Sequence, residues 1–365
     1  MTGGGTAGHI NPALAIAGTI KKNISNAEIE FVGTKKGLEN TLVVQEGYKL
    51  HHVNVRGISR SLSPSNIKAI FMLLGATIKA RKIIKEFKPD IVIGTGGYVC
   101  VPALLAASLM GIPTAAHESN ALLGLALKLL RGRVDRFFVN FKDTEKYFKD
   151  KSKVMHVGNP LRSGFGGYTK EEAREMLGIP QNKTYVLAFG GSLGAQMINE
   201  TVFGYMKDVA KNRDDVYCQL ATGKNYYSDF SKMFTEAHLD GCDHLSMVQY
   251  INDMPIRMCA ADVVVCRAGA MTISELAMMQ KASFMIPSPN VVDNHQYKNA
   301  KALADMNAVV MMEEKDITTE NFAQEMNELV INAQKRNQLS KNIAEFAKLD
   351  ANKLIYDEII RLTKK

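Results

Sequence analysis

Gly3-Gly4-Gly5-Thr6-Ala7-Gly8-His9, near the start of the chain, and Phe189-Gly190-Gly191-Ser192-Leu193-Gly194-Ala195, near its middle, are two versions of one device. Each is a run of glycines passing into a helical stretch, and the second directly follows a β-type run, Tyr185 to Phe189. Glycines let a backbone approach an anion closely, and a helix start adds N–H groups and about half a positive charge. Two such turns in one chain predict two α/β domains. The first run fits G-x-G-x-x-G through Gly3, Gly5 and Gly8, a pattern that is weak alone. Asn11-Pro12 and an apolar helix from Ala13 follow it. Only Met1 and Thr2 precede it, too few for the strand that should lead in, and the expectation is a true start upstream of Met1.

The chain around these loops repeats one plan. Glu28 to Val32, Asp90 to Ile93, Pro113 to His117, Arg136 to Val139 and Val154 to Val157 read as strands. Asn66 to Phe87 and Ala103 to Met110 read as helices, and Gly94-Thr95-Gly96-Gly97 is a turn between strand and helix. Such alternation means βαβ units on a parallel sheet. After Gly158-Asn159-Pro160 and a polar stretch to Tyr168, the plan restarts. Tyr185 to Phe189, Val216 to Leu220, Leu245 to Val248, Asp262 to Val265 and Ala282 to Ile286 are its strands. The prediction is an N-terminal domain over 1–159, a C-terminal domain over 160–342 and a final segment over 343–365. In that segment Ile343 to Leu362 reads as one amphipathic helix. Both domains are doubly wound and Rossmann-like. Ligands of such sheets lie at the carboxyl ends of the strands, so two facing domains would hold theirs in a cleft.

The bulk properties narrow the function. A chain of 365 residues exceeds one ordinary core, and 46% hydrophobic with 22% charged residues is a globular balance. The five cysteines form no C-x-x-C pair, which predicts free structural thiols in a reducing compartment. No apolar run approaches the ~20 residues of a spanning helix, and no basic segment precedes an apolar one as in a signal peptide. The net charge of +8 favours an anionic partner: a phosphorylated substrate, an acidic membrane face or nucleic acid.

The loops also limit the chemistry. The Gly190 run lacks the Gly-Lys-Ser/Thr ending of a P-loop, while Ser192 offers a hydroxyl beside backbone N–H groups. A dinucleotide site needs an acid where the second strand ends. Here that strand ends Phe31-Val32-Gly33-Thr34 with Glu28 at its beginning, which disfavours a dehydrogenase. A third loop, Arg267-Ala268-Gly269-Ala270-Met271-Thr272-Ile273-Ser274-Glu275, follows another strand. Its small residues would bring a helix start up to a ligand, and Glu275 is either a ribose-diol acceptor or a solvated acid.

Seven motifs in this order carry a resemblance. They are Gly3 to His9, Gly94 to Tyr98, His117-Glu118-Ser119-Asn120, Gly158 to Arg162, Gly190 to Ala195, Cys266 to Glu275 and Asp293 to Gln296. Over nearly the whole chain the sequence resembles the MurG family of bacterial glycosyltransferases. The resemblance implies a GT-B fold whose final helix crosses back to the N-terminal domain. It implies inverting transfer of N-acetylglucosamine (GlcNAc) from UDP-GlcNAc to the 4-hydroxyl of the muramoyl sugar of lipid I. The product would be lipid II, made at the cytoplasmic face of the cell membrane by a peripheral enzyme without a cofactor or a nucleic-acid partner.

Carried over residue by residue, Ser192 would contact the pyrophosphate and the backbone of Ile251 the uracil. Ala270, Met271 and Thr272 would present a helix start to the phosphates, and Glu275 would hold the ribose. Arg162, Gln296 and Asn120 would reach the donor, with Thr6, Ala7 and Gly8 lining its site. This chain has His295-Gln296 where many relatives have two glutamines, and Ala7 where they often have glycine. An inverting transfer needs a base, and His9 at a helix start is the candidate, with Glu118 second. No Asp-x-Asp motif implies a protein-held metal. On the predicted helix Asn66 to Phe87, Ile67, Ile70, Phe71, Leu74 and Ile78 lie beside Lys68, Lys79, Arg81, Lys82 and Lys85. Apolar residues flanked by cations suit an anionic bilayer, and core packing is the competing reading. Arg131 and Arg133 would extend that face. The rival functions are a nucleotide-sugar epimerase on the same plan, a dehydrogenase and a non-catalytic membrane-binding module.

Overall fold

A computed structural model of the chain describes residues 1–57, 65–291 and 294–364. They form two compact units, Met1–Ser163 with Lys348–Lys365, and Gly164–Ala347.

The first unit runs α1 (Ala7–Asn23), β1 (Glu30–Gly33), α2 (Glu39–Gln45), β2 (Lys49–His52), α3 (Ser65–Phe87), β3 (Val92–Gly94), α4 (Cys100–Leu109), β4 (Thr114–Glu118), α5 (Leu125–Leu130), β5 (Arg136–Val139) and β6 (Val154–His156). β1 pairs with β2, and β3 to β6 pair in sequence, every pair parallel. Between these two sets lies Thr2, bridging Val32 on one side and Gly94 on the other. Its N–H donates to the Ile93 carbonyl, its carbonyl accepts from Thr95, and Val32 donates to Met1. Two residues thus occupy the central strand position of the parallel sheet. β4 is buried along its whole length, which is why it reads as Thr-Ala-Ala-His-Glu with no outward polar alternation.

The second unit runs α6 (Lys170–Leu177), β7 (Thr184–Phe189), α7 (Gln196–Asp208), β8 (Val216–Ala221), α8 (Tyr227–Glu236), β9 (Leu245–Val248), α9 (Met254–Ala260), β10 (Val263–Cys266), α10 (Ala270–Met278), β11 (Ala282–Met285), α11 (His295–Asp305), β12 (Val310–Met311), α12 (Thr319–Ile331) and α13 (Ala333–Ala344). Its six strands lie in the order β12-β11-β10-β7-β8-β9, all parallel. β7 and β10, at the centre, hold their glycine turns at adjacent carboxyl ends. Val186, Ala188, Val263, Val265 and Phe284 face Ile198, Val202 and Met206 of α7 and Phe322 and Met326 of α12 in the main core.

Two readings of the sequence need correction. The helix expected from Ile343 to Leu362 is two helices, α13 and α14 (Ala351–Thr363), separated by a break. Leu339 of α13 packs in the core of the second unit, whereas Ile355, Ile359 and Leu362 of α14 pack with Ile16 and Phe138 of the first. The break falls where the chain passes from the second unit to the first, between Ala347 and Lys348. Asn352 fixes the turn by accepting from the Leu161 N–H and donating to the Leu161 carbonyl. The first helix, expected from Ala13, begins at Ala7, because the Thr6 carbonyl accepts from both His9 and Ile10 and closes a turn inside the glycine run.

The thiols of Cys100, Cys218, Cys259 and Cys266 are buried and unbridged. Burial pushes those of Cys100 and Cys218 up to about 12, which makes them inert hydrophobes.

Candidate active site

In the first unit, His9 lies in the opening turn of α1. Its Nδ1 is 3.2 Å from the Gly4 carbonyl and 3.3 Å from the Thr6 hydroxyl. A carbonyl only accepts, so Nδ1 carries the proton and Nε2 keeps its lone pair in the neutral ring. The ring lies against the turn after β3. A Cβ on Gly96 would meet His9 Cδ2 and Nε2, and one on Gly97 would meet the Gly4 carbonyl. Both glycines have positive φ, +108° and +77°. Thr95 completes the clamp, its hydroxyl donating to the His9 carbonyl at 2.6 Å.

The glycines of the first loop have internal reasons as well. A side chain at Gly3 would collide with Thr95, and one at Gly4 with the carboxylate of Glu39. Gly5 borders open space, and a side chain at Gly8 would make only ordinary contact with the Thr6 hydroxyl. Glu39, fully buried, accepts from Gly5 N–H at 2.9 Å and from the Thr34 N–H and hydroxyl at 2.8 and 2.7 Å. Burial alone would raise its pKa, but these donors outweigh it and hold the carboxyl below the usual carboxylate range.

Glu118 is also committed. One oxygen accepts from the Asn120 N–H and side-chain amide, the other from Gly124 N–H. The carboxylate therefore shapes the loop that presents Asn120, and both of its oxygens are taken. Arg162 lies 3.7 Å from Glu46 beyond α2.

In the second unit, the Ser192 loop is interlocked with its neighbour. Gly194 N–H donates to the Gly191 carbonyl, and Lys224 and Asn225 donate to the carbonyls of Ser192 and Leu193. Gly190, Gly194 and Gly223 approach neighbouring backbone too closely for any side chain. Ser192 remains partly exposed ahead of α7. The next strand, β10, leads into α10, which starts at Ala270 after the extended Gly269. Ala270, Met271 and Glu275 are buried and Thr272 is partly exposed. Arg267 is tied down by the Ile286 carbonyl and by Glu314. Ile251 is buried just beyond β9. Gln296, in the first turn of α11, accepts from Ser288 N–H at 2.9 Å, while Asp293 lies outside the described residues.

Residues 1–139 match the glycosyltransferase family 28 N-terminal domain, and residues 185–355 match its C-terminal domain. The UDP-N-acetylglucosamine–N-acetylmuramyl-(pentapeptide) pyrophosphoryl-undecaprenol N-acetylglucosamine transferase of Acetivibrio thermocellus is 44% identical over 100% of this chain and 98% of its own length. The enzyme of the same name from Thermoanaerobacter sp. is 42% identical over 100% and 99%. The crystal structure of Acinetobacter baumannii MurG superposes with a TM-score of 0.71 at 28% identity, covering 99% and 98% of the two chains. The chain belongs to the MurG family of glycosyltransferases.

The family has the GT-B fold, here two parallel-sheet units. UDP-GlcNAc 2-epimerase from Neisseria meningitidis shares that fold, with a TM-score of 0.67 at 13% identity over 96% and 97% of the chains. The dehydrogenase alternative fails further on the structure, since the acid after β1 is Glu39 and its oxygens are occupied by the loop itself. Glu39, Thr34 and Thr95 support this MurG-family loop yet were missed from sequence. The available signal was the glycine spacing around Glu39, at Gly33 and Gly37.

α3 presents an unusual surface. Its core face is Ala69, Ala76, Ala80 and Ile84, whereas Ile67, Ile70, Phe71, Leu74 and Ile78 are each more than half exposed. Core packing therefore does not explain that stripe. Lys68, Lys79, Arg81, Lys82 and Lys85 are exposed on the same helix. No described helix is long and apolar enough to cross a membrane.

Proposed function

We propose that this chain transfers GlcNAc from UDP-GlcNAc to the 4-hydroxyl of the N-acetylmuramoyl sugar of lipid I, with inversion, to give lipid II for peptidoglycan. The observation that carries the reading is 44% identity across the whole chain to a transferase of that name. The placement of each residue within its own unit supports it. His9 Nε2 takes the proton from the acceptor hydroxyl as that oxygen attacks the anomeric carbon. The bond from that carbon to the UDP oxygen breaks on the opposite face. The departing charge is met by the Ser192 hydroxyl and by the start of α10 at Ala270, Met271 and Thr272. Glu275 receives the ribose hydroxyls, the Ile251 backbone the uracil, and Gln296, Arg162 and Asn120 the donor, alongside Thr6, Ala7 and Gly8.

The acceptor is membrane-bound, and α3 supplies a matching surface. Ile70, Phe71, Leu74 and Ile78 enter the headgroup region while Lys68, Lys79, Arg81 and Lys82 meet anionic lipid, at about 1 kcal/mol per well-placed cation. On this reading the protein is peripheral, and the nucleotide donor puts it at the cytoplasmic face. The deciding experiment is incubation with labelled UDP-GlcNAc and a lipid I analogue. A disaccharide-bearing lipid is expected, and turnover only to free sugar or the 2-epimer would overturn the reading.

A further inference from the structure

The first glycine loop contains a buried carboxylate to which the proposed reaction gives no part. Glu39, first residue of α2, is fully buried, and among the described residues no cation pairs with it. Hydrogen bonds alone hold its charge. The loop makes room for it: a Cβ on Gly4, Gly33 or Gly37 would come within 3 Å of its side-chain atoms.

One peptide unit connects this carboxylate to the imidazole. The peptide joining Gly4 to Gly5 donates its N–H to Glu39 at 2.9 Å and accepts on its C=O from His9 Nδ1 at 3.2 Å. That peptide is a delocalised plane, so an anion on its N–H increases the electron density on its oxygen, and hydrogen bonds in series strengthen one another. We propose that Glu39 is a positioning residue for His9, acting through the Gly4–Gly5 peptide: it fixes the peptide's orientation, holds His9 in the Nδ1–H tautomer and makes Nε2 more basic. The logic is that of a carboxylate behind a metal-ligating histidine, with a peptide inserted between the two side chains. Thr34 anchors the second carboxylate oxygen and keeps the first aimed at Gly5. The inference rests on the reading of His9 as the base.

The test is nitrogen NMR of the full-length protein labelled at histidine, with the spectrum of His9→Ala assigning the His9 signals. Native protein should show the Nδ1–H tautomer. In Glu39→Gln the tautomers should mix, His9 should titrate about half a unit lower or more, and kcat should fall about tenfold with KM for UDP-GlcNAc changed less than about twofold. Thr34→Val removes one of the two Thr34 donors but keeps the carboxylate's charge, so tautomer and titration should move in the same direction as in Glu39→Gln and by less. If Glu39→Gln does not fold, Glu39→Asp replaces it, since its shorter arm withdraws from Gly5 and should lower the His9 titration part-way. A folded Glu39 variant with native tautomer and titration overturns the proposal. Failure of the underlying reading shows elsewhere, as turnover surviving in His9→Ala while the NMR coupling stands.

Discussion

Gly96 and His9 leave no room for a methyl group between them: a Cβ on Gly96 would lie 2.5 Å from the imidazole Cδ2 and 3.0 Å from Nε2. Gly96 also has φ +108°, a conformation that strains any L side chain. Gly96→Ala should therefore push the imidazole out of line rather than unfold the unit. A displacement near 1 Å at a reacting group costs about a hundredfold in rate. The expected result is that loss in kcat with UDP affinity unchanged, because the nucleotide is assigned to the other unit. Native turnover in Gly96→Ala would show that His9 does not need this placement.

His9→Ala itself should lower turnover by about two to four orders of magnitude, the usual range for removing a general base. UDP affinity measured by calorimetry should hold. Activity within tenfold of native would remove His9 from the proton transfer, and Glu118 would not replace it, since three donors already occupy its oxygens.

Glu275→Ala should weaken UDP binding by about tenfold or more, from the loss of hydrogen bonds to a charged acceptor worth about 1.5–3 kcal/mol. Glu275 is buried one turn into α10, so the solvated-acid reading of its sequence context no longer applies. Thermal stability should be followed in parallel, and unchanged UDP affinity in a folded variant would clear Glu275 of the ribose role.

These sites were legible in sequence to different depths. The strands of the second unit show themselves because buried parallel strands are largely apolar runs, one of them, β7, passing straight into glycine; Leu245–Val248 there and Arg136–Val139 in the first unit appear with their observed ends. β2 was not seen, since Lys49-Leu50-His51-His52 lies at the sheet margin, partly exposed, and has no apolar period. The glycine loops marked the site, but the reason for glycine at positions 3 and 4 is contact with Thr95 and Glu39, far along the chain. Local pattern carries no record of such contacts. The stripe on α3 illustrates the converse: spacing alone could not tell a core face from an outward one until Ala69, Ala76 and Ala80 took the core.

Phe71→Ser and Ile78→Ser tests that outward face. These side chains are 70% and 73% exposed, so their removal should leave the melting temperature within about a degree of native. Burying a large apolar side chain in lipid yields about 1.5–3 kcal/mol, so each substitution should weaken binding to anionic vesicles about tenfold. Added salt should weaken native binding as well, through the flanking cations. Equal vesicle binding by native and doubly substituted protein would place the membrane contact elsewhere.

His117 should make the first unit acid-labile over a defined window. It is fully buried on β4, its Nε2–H donates to the Gly158 carbonyl at 3.0 Å, and its Nδ1 has no partner. Burial lowers its pKa to about 4 against the partial opposition of that hydrogen bond. The unfolded chain, with an ordinary pKa near ~6.5, binds a proton in this range that the folded state refuses. Its contribution is therefore intact above about pH 6.5, declines as pH falls towards 4, and amounts to about 3 kcal/mol across that interval. Urea unfolding followed from pH 7 to 4.5 should show stability falling by more than 1 kcal/mol per pH unit near ~5 from this group. His117→Gln keeps a donor for Gly158 and cannot titrate, so its profile should be flatter by about one proton. Parallel profiles for the two proteins would mean that His117 takes up its proton without unfolding, which its unpartnered, enclosed Nδ1 argues against.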